Sequence, residues 1–338
     1  MTVTIRPGRD ADAAGFIALI RACWGEYPGV IFDLDGEVPE LRALAAYYAA
    51  QGGALWAAED GQGRLVGMIA ARPEAGGAWE ICRVYVDRAQ RGGGLAARLL
   101  ALAEAHATAA GATRFELWSD TRFERAHRFY EKHAYLRSGP IRPLNDLSHS
   151  LEFGYAKPRA GIAALDAAAA SSAGLRLAAL LADCVAAGGS VPFLPPLGRE
   201  TALAFWRASA TAVAEGRRVL LAGWDDGTLA GTVSVDLDMP ANQTHRAELR
   251  TLLVDPAFRR RGLGRALLAR AEREAAAAGR TLLTVEAGAG DPAEALCRAA
   301  GFTEAGRIPG YASDADGAPV EMVFFYKPLR TSAATAAA

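Results

Sequence analysis

The chain has 338 residues, 51% of them apolar, enough to build the cores of two domains. Its 37 basic residues nearly cancel 38 acidic ones, so charge gives no reason to expect nucleic acid or an acidic membrane surface as a partner. No stretch of about 18 uninterrupted apolar residues offers a membrane span, and the charged start MTVTIRPGRDADAAGF does not read as a signal peptide. The four cysteines (Cys23, Cys82, Cys184, Cys297) are scattered, with no CxxC pair and no metal-like cluster, which fits a reducing cytoplasm.

In chain order, residues 53–71 hold two apolar runs around an acidic-glycine turn, which predicts a β-hairpin. AWEICRVYVD (78–87) predicts a strand feeding the glycine cluster RGGGLAARLL (91–100). That cluster opens an amphipathic helix near 93–110, closed by Gly111. A strand at 114–120, a short helix in RFERAHRFYEKHAY and a strand in HSLEFGYAKP follow. After the Ala-rich stretch 157–174, which marks a boundary or begins the next helix, the series restarts. It gives a hairpin at 218–235, a strand at 246–255, the cluster RRRGLGRALL (259–268) and a helix near 262–278 closed by Gly279. A strand at 281–287, a short helix in DPAEALCRAAGF and a last strand in EMVFFYKPL complete it. Set 168 residues apart, 86–111 and 254–279 agree at 15 of 26 positions, including Val86/Val254, Asp87/Asp255, Arg91/Arg259, Gly94/Gly262 and Leu95/Leu263. A period this long, with several elements per copy, means a duplicated domain rather than a solenoid. The expected domains are 1–158 and 159–330, with 331–338 as a disordered tail.

The glycine junctions carry the first functional signal. A helix N-terminus presents unpaired N–H groups and a partial positive charge. Neither junction supplies a Ser, Thr or Asp cap at the turn, so an outside acceptor such as a phosphate suits it. Glycine allows close backbone approach, and arginine adds a charge-assisted contact. Neither copy has the G-K-[ST] of a Walker A loop. Nor does either fit a GxGxxG dinucleotide fingerprint.

Arg91–Gly94–Ala96 and Arg259–Gly262–Gly264, each between a strand and a helix, resemble motif A of the GNAT superfamily of acyl-CoA N-acyltransferases. The resemblance covers nearly the whole chain as two tandem units. The second half is similar to the tabtoxin-resistance acetyltransferases in AAGGSVPF, HRAELRTLLVDPAFRRRGLGRALL, GRIPGYASDADG and VFFYKPL. It implies an α+β fold, each unit a mixed, mostly antiparallel sheet with helices on both faces. It also implies acetyl-CoA as cofactor. Its pyrophosphate would lie on Arg91, Gly92, Gly93, Gly94, Leu95 and Ala96, and on Arg259, Arg260, Arg261, Gly262, Leu263 and Gly264, with Arg265 nearby. Its pantetheine would pair with strand ends at Val84 and Val86, and at Leu252 and Val254.

Acetyl transfer to an amine needs a base, because an alkyl amine of pKa near 10 is about one part in a thousand neutral at pH 7. It also needs N–H donors at the developing oxyanion and a proton donor for the leaving thiolate. Glu80 and Glu248 stand six residues before the strand-end valine, where histone-modifying relatives carry a base. Glu286, on the next strand, matches the catalytic carboxylate of the tabtoxin-type relatives; its first-half counterpart is Trp118, with Asp120 near. Tyr130 matches the family's proton-donating tyrosine, whereas the second half has Cys297 there, which suits a small buried filler. The second half is richer in loop arginines, the first better equipped to protonate a leaving group. His245, before the central strand of the second half, either faces the acceptor or anchors its loop. The expected activity is acetyl transfer to a small primary amine by a cytoplasmic monomer or homodimer. The alternatives are a mycothiol-synthase-like tandem enzyme, a peptide acceptor, and a tandem acyl-CoA-binding protein with one sensor or scaffold domain.

Overall fold

The computed structural model describes residues 3–189 and 191–329; the tail expected at 331–338 lies outside them. The chain divides into two compact units, one of residues up to 130 with 137–159, the other of 131–136 with everything from 160 onward.

The first unit runs β1 (Thr4–Pro7), α1 (Ala13–Trp24), α2 (Leu44–Ala50), β2 (Ala54–Glu59), β3 (Leu65–Pro73) and β4 (Ala78–Val86). It continues with α3 (Leu95–Ala109), β5 (Arg114–Asp120), α4 (Glu124–Lys132), β6 (Leu136–Arg137), β7 (Arg142–Pro143) and β8 (Leu151–Pro158). The strands form one sheet in the order β1-β2-β3-β4-β5-β8, with the short β6 and β7 beside β8. The registered pair β4–β5 is parallel, whereas β1–β2, β2–β3, β3–β4 and β5–β8 are antiparallel. Alternation along β3 sets the layers. Met68 and Ala70 face Phe16, Leu19 and Ile20 of α1, while Gly67 lies under α3, where an added Cβ would come within 3.1 Å of Leu99 and 3.3 Å of Leu95.

The second unit repeats this plan with β9 (Gly161–Leu165), α5 (Ala167–Ser172), α6 (Gly174–Ala186), α7 (Arg199–Ala214), β10 (Arg218–Asp225), β11 (Thr228–Asp236) and β12 (Arg246–Val254). There follow α8 (Leu263–Ala277), β13 (Leu282–Gly288), α9 (Pro292–Ala299), β14 (Thr303–Ser313) and β15 (Pro319–Pro328). Sheet order is β9-β10-β11-β12-β13-β15-β14, again with the central pair β12–β13 parallel. Leu221, Val233, Val235, Ala247, Leu249 and Leu283 pack under α8; Leu220, Ala222 and Trp224 turn to the opposite face, against α5, α6 and α7. Gly231 matches Gly67, since its Cβ would come within 2.9 Å of Leu267 and of the Leu253 carbonyl. This is the α+β architecture the sequence leads one to expect, with mixed, mostly antiparallel sheets covered by helices on both faces.

Candidate active site

In each unit the two parallel strands hold together over three residues and then part. β4 pairs with β5 from Ala78 to Glu80 against Arg114 to Glu116, and β12 with β13 from Arg246 to Glu248 against Leu282 to Thr284. Beyond that point each central strand bulges, with Arg83 and its counterpart Thr251 both at φ 54°. The ladders to β3 and β11 skip Arg83–Val84 and Thr251–Leu252. A non-glycine residue in the left-handed region costs of order 1–2 kcal/mol, so the same strain kept at the same place in both copies marks a site where backbone groups are turned out of the sheet.

The strand end then runs into the glycine junction. Asp87 and Asp255 accept from the N–H of Ala89 and Ala257, at 2.9 and 3.0 Å, turning the chain toward the helix. Gly94 (φ 82°) and Gly262 (φ 90°) are the N-caps of α3 and α8; neither helix start has a capping side chain, and nothing lies within 4 Å of where either Cβ would stand. The helices begin at Leu95 and Leu263 rather than inside the glycine run, because Gly92, Gly94, Arg260 and Gly262 are left-handed. The backbone N–H groups at each helix start thus have no side-chain cap, a donor set that could hold an anion.

The loop arginines are placed differently from one another. Arg91, expected at phosphate, is instead held by both oxygens of Glu26 at 2.7 Å, and its Nε donates to the Val86 carbonyl at 2.9 Å. Arg259 repeats the carbonyl contact, to Val254 at 3.3 Å, without a recorded carboxylate partner among the described residues. Both carbonyls also accept from a buried thiol, Cys23 in α1 and Cys184 in α6. The first arginine of each junction thus braces the strand end. Arg261 lies 3.3 Å from Asp225 and over the Phe258 ring, while Arg260 and Arg265 are exposed.

The base candidates also separate. Glu80 is tied by Arg72 through Nε at 2.8 Å and Nη2 at 2.5 Å, and Arg72 also donates to Gln51. Trp118 occupies the place of Glu286, with Arg142 over its ring at 4.0 Å, and nearby Asp120 is bound by Arg122. In the second unit Glu248 lies 3.5 Å from Arg246 and 3.1 Å from Arg250. Glu286 joins this group: desolvation and then the Glu248 charge raise its pKa, and Arg250 pulls the other way. The sequence reading did not single out Arg250; the alternation Arg246, Glu248, Arg250 along one strand face was the available signal.

Tyr130 is buried on α4, within reach of Tyr155, Tyr85 and Cys82; burial pushes its hydroxyl up, so it stays protonated at neutral pH. Cys297 is buried on α9, and desolvation pushes its thiol up to about 11. The His245 carbonyl accepts from Thr281 and Leu282, anchoring the loop ahead of β12. Among the described residues no group of three or more His, Cys, Asp or Glu could hold a metal, and no helix is long and apolar enough to cross a membrane.

Among solved structures, the fold is similar to that of yncA from Salmonella typhimurium, described with its cofactor acetyl-CoA (20% identity over 53% of this chain and 99% of that one, TM-score 0.43). An N-acetyltransferase from Staphylococcus aureus Mu50 matches at 18% identity over 51% and 99% (TM-score 0.43). The ribosomal-protein-alanine N-acetyltransferase of Brucella melitensis matches at 24% over 50% and 99% (TM-score 0.41). The acetyltransferase (GNAT) family model matches twice, over residues 17–135 and 190–302. With that model covering both copies of the strand–glycine–helix junction, the chain belongs to the GNAT acetyltransferase family.

Proposed function

We propose that the protein transfers an acetyl group from acetyl-CoA, the cofactor of its family, to the primary amine of a small molecule, and that the second unit carries most of the turnover. Acetyl-CoA would supply the activated thioester. The cradles at 91–96 and 259–264 would hold its pyrophosphate, and the backbone freed at Val84, Val86, Leu252 and Val254 its pantetheine and the developing oxyanion.

The observation that carries the assignment is the place of Glu286, two residues beyond the last parallel pair of β12 and β13, where the first unit has Trp118. Magnitudes rank the two units. Deprotonating an amine of pKa near 10 at pH 7 costs about 4 kcal/mol, and expelling a thiolate of pKa near 8.5 unprotonated costs about 2 kcal/mol. A site that keeps the base and lacks the donor tyrosine therefore outruns one with the reverse. Glu286, of raised pKa, takes the amine proton, with Glu248 beside it. In the first unit Tyr130 stands as donor for the leaving thiolate, without a counterpart of Glu286; a cofactor-holding scaffold is the second reading for that unit, supported by Trp118 in its place.

We place the protein in the cytoplasm, as a monomer or homodimer acting on an amino-acid-like acceptor, as the tabtoxin-resistance resemblance implies. The test is release of coenzyme A thiol across a panel of primary amines. Glu248→Gln with Glu286→Gln should abolish release while acetyl-CoA still binds; unchanged release would refute the assignment.

A further inference from the structure

Glu286 stands on a boundary between two kinds of surface. Its sheet face is the one turned away from α8, since Leu283, Val323 and Phe325 fill the α8 side and side chains alternate along each strand. On the β12 side of Glu286 the groups are charged and already committed. Glu248 has Arg246 at 3.5 Å and Arg250 at 3.1 Å, and Asp236 has Arg218 at 3.0 Å and Arg250 at 3.2 Å. On the β15 side the facing residues carry no charge. Phe324 is the residue directly opposite Glu286, and Tyr326, opposite Thr284, is the next along the same face.

β14 extends this surface. Ile308 pairs with Met322, two residues from Phe324, which puts it on the same face. Between Ile308 and Ala312 the strand bulges, with Gly310 at φ 65°, and Tyr311 stands edge-on against Phe324, ring centroids 5.2 Å apart at 88°. Tyr311 is 55% exposed, Ile308 46% and Tyr326 37%. Single apolar side chains on a surface are ordinary, but here three rings and an isoleucine share one face beside the residue proposed as base. The first unit has the reverse arrangement. Trp118 stands in place of Glu286, opposite Gly154, and its ring is covered by Arg142 at 4.0 Å, which Glu152 holds in turn. The aromatic surface is spent on an internal cation in the first unit and left open in the second, where no cation is recorded over Phe324 among the described residues.

We infer that the second unit selects acceptors carrying a flat ring on a short arm from the reacting amine, the ring lying against Phe324 and Tyr311 while the amine meets Glu286. This rests on the proposed acetyl transfer in that unit. Directly opposed side chains on neighbouring strands start about 5 Å apart, a gap that an arm of about one to three atoms spans. A flat ring gains from offset or edge-to-face contact with the two aromatic side chains, whereas a saturated ring of the same carbon count gains only from burial. Selection by ring shape is independent of any carboxylate on the acceptor, because the arginines near Glu286 have carboxylates of their own.

The experiment measures coenzyme A release with phenethylamine against cyclohexylethylamine, phenylalanine against cyclohexylalanine, and hexylamine as the ringless reference. It uses the intact protein and the variants Phe324→Leu and Tyr311→Ala, with near-native melting checked first; Tyr311, more than half exposed, keeps the test open where Phe324→Leu does not fold. The inference predicts that at least one flat-ring acceptor is preferred over its saturated partner about fivefold or more in kcat/KM, mainly through KM. In Phe324→Leu the preference should fall toward one because the flat-ring acceptor loses, with the saturated partner and hexylamine changed less than about twofold, and Tyr311→Ala should remove part of it. Equal use of flat and saturated rings by the native protein, or a preference undiminished in both variants, overturns it. Transfer to hexylamine but to no ring-bearing acceptor overturns it and leaves the transferase assignment standing. Acetyl-CoA binding with transfer to none of these amines overturns it as well, and absence of acetyl-CoA binding removes both.

Discussion

Gly262→Ala separates the two demands placed on the helix junction. Gly262 sits at φ 90°, and nothing lies within 4 Å of the position its Cβ would take, so the substitution meets no clash. Its cost to folding comes from the left-handed backbone alone, about 1–2 kcal/mol. For a unit of this size that lowers Tm by about 3–6 °C. Gly279, just past the other end of α8, is also left-handed (φ 76°) and equally open, so Gly279→Ala should cost about the same. The two sites flank the 15-residue helix and are about 25 Å apart along it. Only the first faces the cradle proposed for pyrophosphate, where the added methyl holds off an anion and removes a charge-assisted hydrogen bond of about 1.5–3 kcal/mol. Calorimetric titration of acetyl-CoA should therefore show a roughly 10- to 100-fold weaker second-unit site in Gly262→Ala and a native site in Gly279→Ala, at similar loss of Tm. Equal affinity in both variants would refute the phosphate-cradle reasoning and leave the junction as a tight turn.

Three further outcomes follow from the site. The base must be ionised, so activity is lost as pH falls through the pKa of Glu286. Glu248→Gln removes a charge that raises this pKa and should move the acid limb of kcat/KM to lower pH, whereas Arg250→Gln should move it up; a limb fixed in both removes Glu286 as base, and complete loss in Glu248→Gln but not Glu286→Gln transfers the role to Glu248. Tyr130→Phe, measured in a Gly262→Val background that leaves only the first unit loaded, should lower the residual turnover about tenfold with acetyl-CoA affinity unchanged; an unaltered rate removes Tyr130 from the chemistry. Cys297→Ala should leave kcat within about twofold while costing about 1–2 kcal/mol of stability from lost packing; a tenfold fall in kcat would restore the thiol as a proton donor despite its raised pKa.

The duplication, the strand–glycine–helix junctions and the layering were legible because they are local. The 168-residue offset aligns Arg83 with Thr251 and Gly94 with Gly262, and in each pair the backbone takes the same left-handed turn. The partners of the arginines were not legible, because they depend on elements far apart in sequence. Glu26 comes from the turn after α1, 65 residues before the Arg91 it holds. Arg72 reaches Glu80 across a strand register that the hairpin reading did not fix. Arg250 passed unremarked for the same reason: its ion pair with Asp236 crosses from β12 to β11, a register the sequence did not fix. Glu286 was found through family resemblance, but its coupling to Glu248 needed the parallel pairing of β12 with β13.

The most direct test of the central claim, that the second unit carries the transfer, compares acetyl transfer by Gly94→Val and Gly262→Val at saturating acceptor. With the base pair confined to the second unit, Gly262→Val should lose most of the turnover and Gly94→Val should keep most of it. Turnover that survives in Gly262→Val and vanishes in Gly94→Val would place the chemistry in the first unit and contradict the account.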